Sequence, residues 1–581
     1  MGEKGLNPPK IGYNREIFSN VHSLQQALHC TDSMNVLFIT GDQFRASCLS
    51  CAHHPLVQTP NLDRLAKAGV RFASHYTQST PCGPSRSCLH TSTYIHSNSA
   101  FDNGSPLTPG LTNWAYELTK LGYGPKLIGY VDTVEYDLSN EQESNPSLEW
   151  SGGTLRGLTR LVETDVMGTK DWLRDRGLAN DENGQGWNGY RGSNKWMRQQ
   201  AASGPDTTPS APLPKRAAYD QDCSDTKILT DRAIQFVEDE TATTSPWALH
   251  LSLLKPHPPW VAVEPFVDQY SPAEVNAKIS KIRGSVEEEK TLHPWLAAVH
   301  GVGASQTSRS NSTLSMPDQV LDVLKATYYA LVSELDFHLG RLFDALEVTN
   351  QWDNTLVIVT ADHGEQLGDH YLIGKLGFYD QSYHIPLIIR NPSLSADETR
   401  GTTIPASLIT EAVDIAPTIV AAVRKSSSGA TVSLPDQFQG KSLLPLLSGE
   451  FHTWLRTAAH WEVDWRWWTI EGGSPYPDLF AKLCNDYQIL PDERWFLVHR
   501  TNKWKLVIFP KLKPLLFDLS DGGREDRNLA NSPAHRDVLA SLLLDALTWK
   551  MANSGSASNR KSSRYRIGYD NLVKTMDGSK L

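Results

Sequence analysis

The chain has 581 residues, of which 39% are hydrophobic and 21% charged, and a net charge of −10; this suits a large globular domain plus a smaller one and excludes a disordered chain. It shows no basic block of the kind that binds nucleic acid or anionic membranes, no apolar run near the ~20 residues that span a bilayer, and no apolar N-terminal signal segment. Its seven cysteines are few and odd in number, which argues against a disulfide framework and for a reducing compartment.

Residues 1–34 are polar and irregular and read as an extension. The fold is expected to begin at "NVLFIT" (35–40), a short apolar run typical of a buried strand. Thr59 and Pro60 then supply an N-cap and a first-turn proline for a helix through "NLDRLAKAG", closed by Gly69. Further strands are expected at 125–130, 247–254, 355–360 and 385–390, with helices at 320–348 and 410–423. Strands alternating with helices predict an α/β fold: a large, mostly parallel central sheet flanked by helices, over residues 35–450, with ligands bound beyond the carboxyl ends of the strands. Residues 140–225 and 272–316 are rich in Gly, Ser, Asn, Asp and Pro and read as long excursions over that edge. From 451 to 551 the texture changes. "RWFLVHRTNKWKLVIF" and "PLLFDLSDGG" predict antiparallel strands and "HRDVLASLLLDALTWKM" an amphipathic helix, together a smaller C-terminal α+β lobe. Residues 552–581 form a polar tail.

Two carboxylates stand just past apolar strands, Asp42 after "NVLFITG" and Asp362 after "TLVIVTA". In a parallel sheet such ends can be neighbours, and the pair could share one hard divalent cation, with Gln43 and His363 completing the shell. Loop or helix capping is the plain alternative for both. In "TPCGPSRSCLHTS", Pro84, Ser85 and Arg86 predict a helix start that puts Cys82 near backbone N–H groups favouring negative charge; taken alone, Cys82 reads as a buried structural thiol rather than a nucleophile. Cys48 and Cys51 form a CxxC with no second pair, and "WRWW" (465–468) reads as packing at the lobe interface.

Cys82-Gly83-Pro84-Ser85-Arg86 resembles the sulfatase signature C-x-P-S-R, whose cysteine is oxidised to formylglycine. Together with "VLFITGDQFR", "TPNLDRLAKAGVRF", "LLKPHPPW" and "TADHGEQLGDHYLIGKLGFYDQSYHIPLIIRNP", the chain is similar to bacterial phosphonate monoester hydrolases of the alkaline phosphatase superfamily, from about residue 35 to near the C-terminus. The resemblance implies hydrolysis of phosphonate monoesters, phosphodiesters and sulfate esters. The hydrated aldehyde from Cys82 would attack phosphorus or sulfur with one hydroxyl, and the second hydroxyl would expel the product. It implies one divalent metal held by Asp42, Gln43, Asp362, His363 and the modified Cys82, with Mn²⁺ favoured over Ca²⁺ or Mg²⁺. Arg86 would orient the diol, Lys375 and His257 would neutralise the substrate or protonate the leaving group, and Asn103 and Tyr130 match substrate-contact positions.

Gln43, where many sulfatases carry a second Asp, leans toward the phosphonate-hydrolase branch. Two departures stand out. Val131 and Asp132 replace threonines, and the extra carboxylate is expected to repel an anionic substrate; His90 and Ser92 replace an apolar residue and a glycine. A dedicated sulfatase and an inactive anion-binding module with unconverted Cys82 are the rival readings. The expected partners are a small anionic ester, a formylglycine-generating enzyme and, by resemblance, other copies of the chain in a tetramer. Ser579-Lys580-Leu581 reads as an address for a peroxisomal import receptor in a eukaryote; otherwise the chain is expected in the cytoplasm.

Overall fold

In the computed structural model, which describes residues 33–554 apart from 104, 134–154, 164–215, 218–219, 244, 259, 305–315, 394–398, 429–432 and 467–483, the apolar runs line up in one sheet. Ten strands run through this part of the chain: β1 (Asn35–Gly41), β2 (Val70–Phe72), β3 (His75–Tyr76), β4 (Lys126–Gly129), β5 (Thr159–Glu163), β6 (Ala248–Leu253), β7 (Thr355–Ala361), β8 (Leu387–Arg390), β9 (Thr402–Ile404) and β10 (Thr410–Glu411). Eight form the central sheet in the order β5-β4-β6-β1-β7-β8-β2-β9, while β3 and β10 pair separately. Every residue of β1, β6 and β7 is buried, as required of a parallel sheet covered on both faces. The sheet is mixed, because β8 runs antiparallel to both β7 and β2.

The helices correct several sequence expectations. Helix α1 (Pro60–Ala68) forms, but the Thr59 hydroxyl does not cap it and instead pairs with Ser50. Its first N–H groups are accepted by a carboxylate from another element: Asp336 takes Asn61 N at 3.1 Å and Leu62 N at 2.7 Å. Asp336 belongs to α3 (Asp318–Val348), which has most of its residues buried. The expected helix at 410–423 starts late, as α4 (Ile415–Ser428), because Thr410 and Glu411 are drawn into pairing with β3. Residues 272–316, expected to be irregular, contain helices at Pro272–Lys278, Val286–Thr291 and Pro294–Ala304. The first two are capped by Ser271 and Ser285, signals obscured by the polar composition. Most of 140–225, residues 1–32, Trp467, Trp468 and the Ser579–Leu581 tripeptide lie outside the described residues. No helix among the described residues is long and apolar enough to cross a membrane.

The C-terminal lobe is an antiparallel meander of β11 (Ala458–Asp464), β12 (Trp495–Thr501), β13 (Trp504–Ile508) and β14 (Leu515–Asp518), followed by α5 (Arg536–Asn553). Strand β11 was not foreseen. It ties the lobe to the segment that leads into Cys82: Glu462 N donates to Gln78 O at 2.9 Å, and Ser79 Oγ donates to Glu462 O at 2.8 Å. Trp461 stacks on Tyr383, and Trp465 of the "WRWW" stretch stacks on Trp295, so these rings fill the joint between lobe and domain. In α5 only Leu542 and Ala546 are buried, whereas Leu544, Leu547 and Met551 are exposed, so its expected apolar face is covered only in part.

Just past β6, Lys255 is 3% exposed and donates to both carboxylate oxygens of Glu334 at 2.8 Å, which pins the "LKPHPPW" loop to α3. Breaking a buried pair strands a charge, while replacing both partners by apolar groups is close to neutral. Lys255→Met is therefore expected to lower unfolding free energy by about 3–5 kcal/mol, and adding Glu334→Leu should recover most of that in a urea titration. A single variant as stable as wild type would show that the pair does not pin the loop.

Candidate active site

The register of the central strands builds the site. Gly41 of β1 lies opposite Ala361 of β7, so Asp42 and Asp362 leave the sheet side by side. On the other flank Gly41 lies opposite Leu253 of β6, and Gly129 of β4 opposite Ser252 of β6. Tyr130, His257, Asp42 and Asp362 thus follow four adjacent strand ends. Gly129 is obligatory here: its φ is +104° and a Cβ would sit 1.9 Å from Ser252 O.

Helix α2 (Cys82–Thr91) brings in the remaining group, with Cys82 as its first residue. Asn103 Oδ1 accepts Gly83 N at 2.8 Å and so satisfies one of the helix's free N–H groups. One oxygen of Asp42, one oxygen of Asp362, a ring nitrogen of His363 and the Cys82 sulfur all lie within 4.8 Å of one another, and all four residues are buried. Among the described residues no other group of this kind occurs. Cys48 and Cys51 are free thiols held protonated, with pKa values raised to about 11 and about 12 by burial.

The donor chemistry fits a divalent cation. His363 Nδ1 donates to Gly364 O at 3.0 Å, which leaves the Nε2 lone pair facing Cys82 Sγ at 3.2 Å. Its pKa falls to about 4 through burial and the Lys375 charge, so the ring is neutral, the form a metal requires. Burial and the charge of Asp362 push Asp42 up; burial also opposes ionisation of Asp362, but His363, Arg86 and Lys375 hold it well below the usual carboxylate range. The Lys375 ammonium lies 2.8 Å from Cys82 Sγ and 2.9 Å from His363 Nε2, supplying positive charge among the same atoms. Despite the cost of burial, Cys82, Asp42 and Asp362 raise its pKa and keep it charged.

Gln43 stands at a φ of +64°, a conformation rare outside glycine. It is held by donation of its N–H to Asp362 Oδ1 at 3.0 Å and by the Tyr328 hydroxyl donating to its carbonyl at 2.7 Å. Its side-chain amide donates to Glu365, which leaves the amide oxygen as the atom that could ligate a cation. Glu365, which also accepts Leu367 N and Gly374 N, was missed in the sequence, although it lies two residues past His363.

Several roles implied by resemblance look different in the structure. Arg86, fully buried, does not hydrogen-bond Cys82. It donates to Asp362 Oδ2 at 2.9 Å, Asp42 Oδ2 at 3.2 Å, Ser252 Oγ at 2.7 Å and Tyr130 O at 3.1 Å. It therefore fixes both carboxylates instead of gripping position 82. Tyr130, expected to contact substrate, donates its hydroxyl to Asp42 and lies under the Arg86 guanidinium, 4.3 Å from its ring centre. The Asn103 carbonyl oxygen is taken up by α2. His257 donates Nδ1–H to Pro258 O at 2.5 Å, and burial with Lys375 nearby lowers its pKa to about 3; Nε2 carries a lone pair, not a proton, in the ligand-free site. Ser252 could have been noticed as a polar residue alternating with His250 inside an apolar strand. Ser92, where resemblance expects glycine, adopts φ +55° and is held there by bonds to Val413 O and Gly440 N.

A sulfatase family model matches residues 34–425 of this chain. The chain belongs to the sulfatase family. It is 31% identical over 553 residues, covering 93% of this chain and 98% of the relative, to the multifunctional alkaline phosphatase superfamily protein PehA of Trinickia caryophylli. Arylsulfatase K of Danio rerio is 25% identical over 529 residues, covering 88% and 83%. Among solved structures, phosphonate monoester hydrolases from Agrobacterium radiobacter (29% identity, TM-score 0.74) and Silicibacter pomeroyi (32%, 0.73) each match 90% of this chain and 96% of their own. This sulfatase-family protein is an ester hydrolase with an alkaline phosphatase-like fold.

Asp132 resolves its own conflict with an anionic substrate. It is 7% exposed, and burial together with Asp42 and Asp362 pushes its pKa up to about 8, against the pull of Arg86 and Lys375. It is thus neutral at pH 7 and becomes charged as pH rises through about 8. We expect KM for an anionic ester to climb between pH 7 and 9 in wild type and to stay flat over that range in Asp132→Asn. Parallel profiles for the two proteins would remove Asp132 from the electrostatics of substrate binding.

Proposed function

We propose that this hydrolase cleaves phosphonate monoesters and phosphodiesters, with sulfate esters as a second substrate class, at a divalent cation and a formylglycine derived from Cys82. The observation that carries the reading is the buried convergence of Asp42, Asp362, His363 and position 82 within 4.8 Å, with the Lys375 ammonium on the position-82 side chain. Asp42, Gln43, Asp362 and His363 would hold the cation, which when bound supplies Lewis-acid charge; four oxygen or imidazole ligands of this kind suit Mn²⁺ ahead of Ca²⁺ or Mg²⁺. Hydrated formylglycine supplies the attacking oxygen together with a second hydroxyl that expels the product.

The chain's own residues do the rest. Arg86 and Tyr130 keep the two carboxylates in place, so that no reorganisation is needed when substrate arrives. Lys375 Nζ neutralises charge beside position 82. His257, whose burial and Lys375 neighbour favour the neutral ring, gains proton affinity as an anionic ester approaches and offers Nε2 for proton transfer with the leaving group. Gln43, a neutral amide, leaves less negative charge around the cation than a third carboxylate would. By resemblance, Gln43 in place of the second Asp of many sulfatases favours the phosphonate and diester reading, as does the likeness to two phosphonate monoester hydrolases. The arylsulfatase K relative supports the competing reading, a dedicated sulfatase. The C-terminal Ser579-Lys580-Leu581 remains a proposed peroxisomal address.

Two measurements test the proposal. Mass spectrometry across residues 72–86 of natively produced protein should find Cys82 as the aldehyde, and a purely thiol peptide would leave an anion-binding module without this chemistry. Comparison of kcat/KM for aryl phosphonate, diester and sulfate substrates should favour the first two, whereas turnover of sulfate alone would make the protein a sulfatase.

A further inference from the structure

A second polar cavity lies outside the metal-ligand set. It has a volume of about 240 Å³, and none of Asp42, Gln43, Cys82, Asp362 or His363 lines it. Its wall toward the catalytic centre is Arg45, whose guanidinium donates to Gln366 O at 3.3 Å and pairs with Asp369 at 2.8 Å. On the far side α3 contributes Lys325 and Tyr329, each 2% exposed.

Lys325 is unusual because its charge has no direct partner among the described residues, although Asp369 and Asp322 act on it from a distance. Among the described residues no carboxylate lies within ion-pair distance of its ammonium and no hydrogen bond receives it. Of the nearby acids, Asp318 pairs with Lys281 at 3.0 Å and Asp369 with Arg45 and Ile282 N, while Asp322 is 3.4 Å from Lys281 and makes no hydrogen bond through that oxygen. Burial lowers the Lys325 pKa, with Arg45 and Lys281 adding to the effect; Asp369 and Asp322 only partly offset it. An isolated buried charge is costly unless a counter-charge accompanies it.

The other groups facing the cavity are donors too. The Tyr329 hydroxyl has no hydrogen-bond partner among the described residues, and its ring meets that of His54 edge-on at 4.8 Å. His54 Nδ1 accepts Leu56 N and Val57 N at 3.2 and 2.8 Å, so the neutral ring carries its proton on Nε2. Apart from Asp369, which is paired with Arg45, the polar groups in the buried part of the cavity offer positive charge and N–H or O–H groups, beside the apolar Cys48 and Leu367. The exposed serines Ser47 and Ser280 stand at its rim.

We propose that this cavity is a binding site for a small tetrahedral oxyanion such as inorganic phosphate or sulfate, with Lys325 as its counter-charge and Arg45, Tyr329 and His54 as further donors. The site does not depend on the chemistry at position 82. Through Arg45 it adjoins the 365–369 loop, whose Glu365 holds the side chain of Gln43, so occupancy would brace the loop that orients a catalytic-centre residue.

The test is calorimetric titration of inorganic phosphate into the full chain at constant ionic strength, comparing wild type with Lys325→Met, Tyr329→Phe and, as a marker of the catalytic centre, Lys375→Ala. The expected result is a binding event that survives Lys375→Ala, weakens about tenfold or more in Lys325→Met as a charge-assisted contact is lost, and weakens several-fold in Tyr329→Phe. Should Lys325→Met fold poorly, Tyr329→Phe carries the test by itself, read also as a smaller phosphate-dependent rise in Tm. Phosphate binding unchanged in the variants of this cavity, or lost altogether with Lys375→Ala, would overturn the proposal.

Discussion

The structure turns on the enforced proximity of two carboxylates. Parallel pairing of β1 with β7 in the register Gly41 to Ala361 leaves Asp42 and Asp362 no choice but to emerge together, both buried. Two like charges so placed repel, and burial raises the cost of each. What makes the arrangement tolerable is the positive charge arranged around it: the Arg86 guanidinium bridging both acids and the Lys375 ammonium nearby, to which the proposed cation would add.

The other elements can be understood as consequences of holding that cluster still. Helix α2 delivers position 82 and Arg86 from one short segment, and Asn103 fixes its start. The buried Lys255–Glu334 pair anchors the loop that carries His257. The smaller lobe, through β11, hydrogen-bonds to Gln78 and Ser79 immediately upstream of Cys82 and stacks its tryptophans against the domain. The lobe, which places no ligand atom in the cluster among its described residues, thereby braces the segment that carries position 82.

Much of this was legible in the sequence because strand ends in an α/β sheet are where polar residues can abandon the apolar pattern. Asp42 and Asp362 each follow an unbroken apolar run and Cys82 is embedded in turn and helix-start residues, which marked them as candidates; the family resemblance was what chose the site over capping and a structural thiol. The roles of Arg86, Tyr130 and Asn103 were not legible, since they depend on which atom faces which neighbour. A spacing cannot tell a guanidinium that grips substrate from one that grips carboxylates. The capping of α1 by Asp336, more than 270 residues away in the chain, was invisible for the same reason. Strand β11 was overlooked because "AAHWEVD" alternates weakly and its tryptophan is buried by stacking on Tyr383 of the main domain, a distant partner that the local pattern does not announce. Polar composition disguised the helices between 272 and 304, where the caps themselves supply the polar residues.

The measurement that bears most directly on the central claim is a crystal structure of the protein as purified, with anomalous scattering recorded at the absorption edge of manganese. The account predicts one divalent ion coordinated by Asp42, Gln43, Asp362 and His363 and touching the side chain at position 82, with ligand distances in the range of about 2.0–2.6 Å. An ion bound elsewhere, or saturating metal that leaves Asp42 and Asp362 joined only through Arg86, would contradict it.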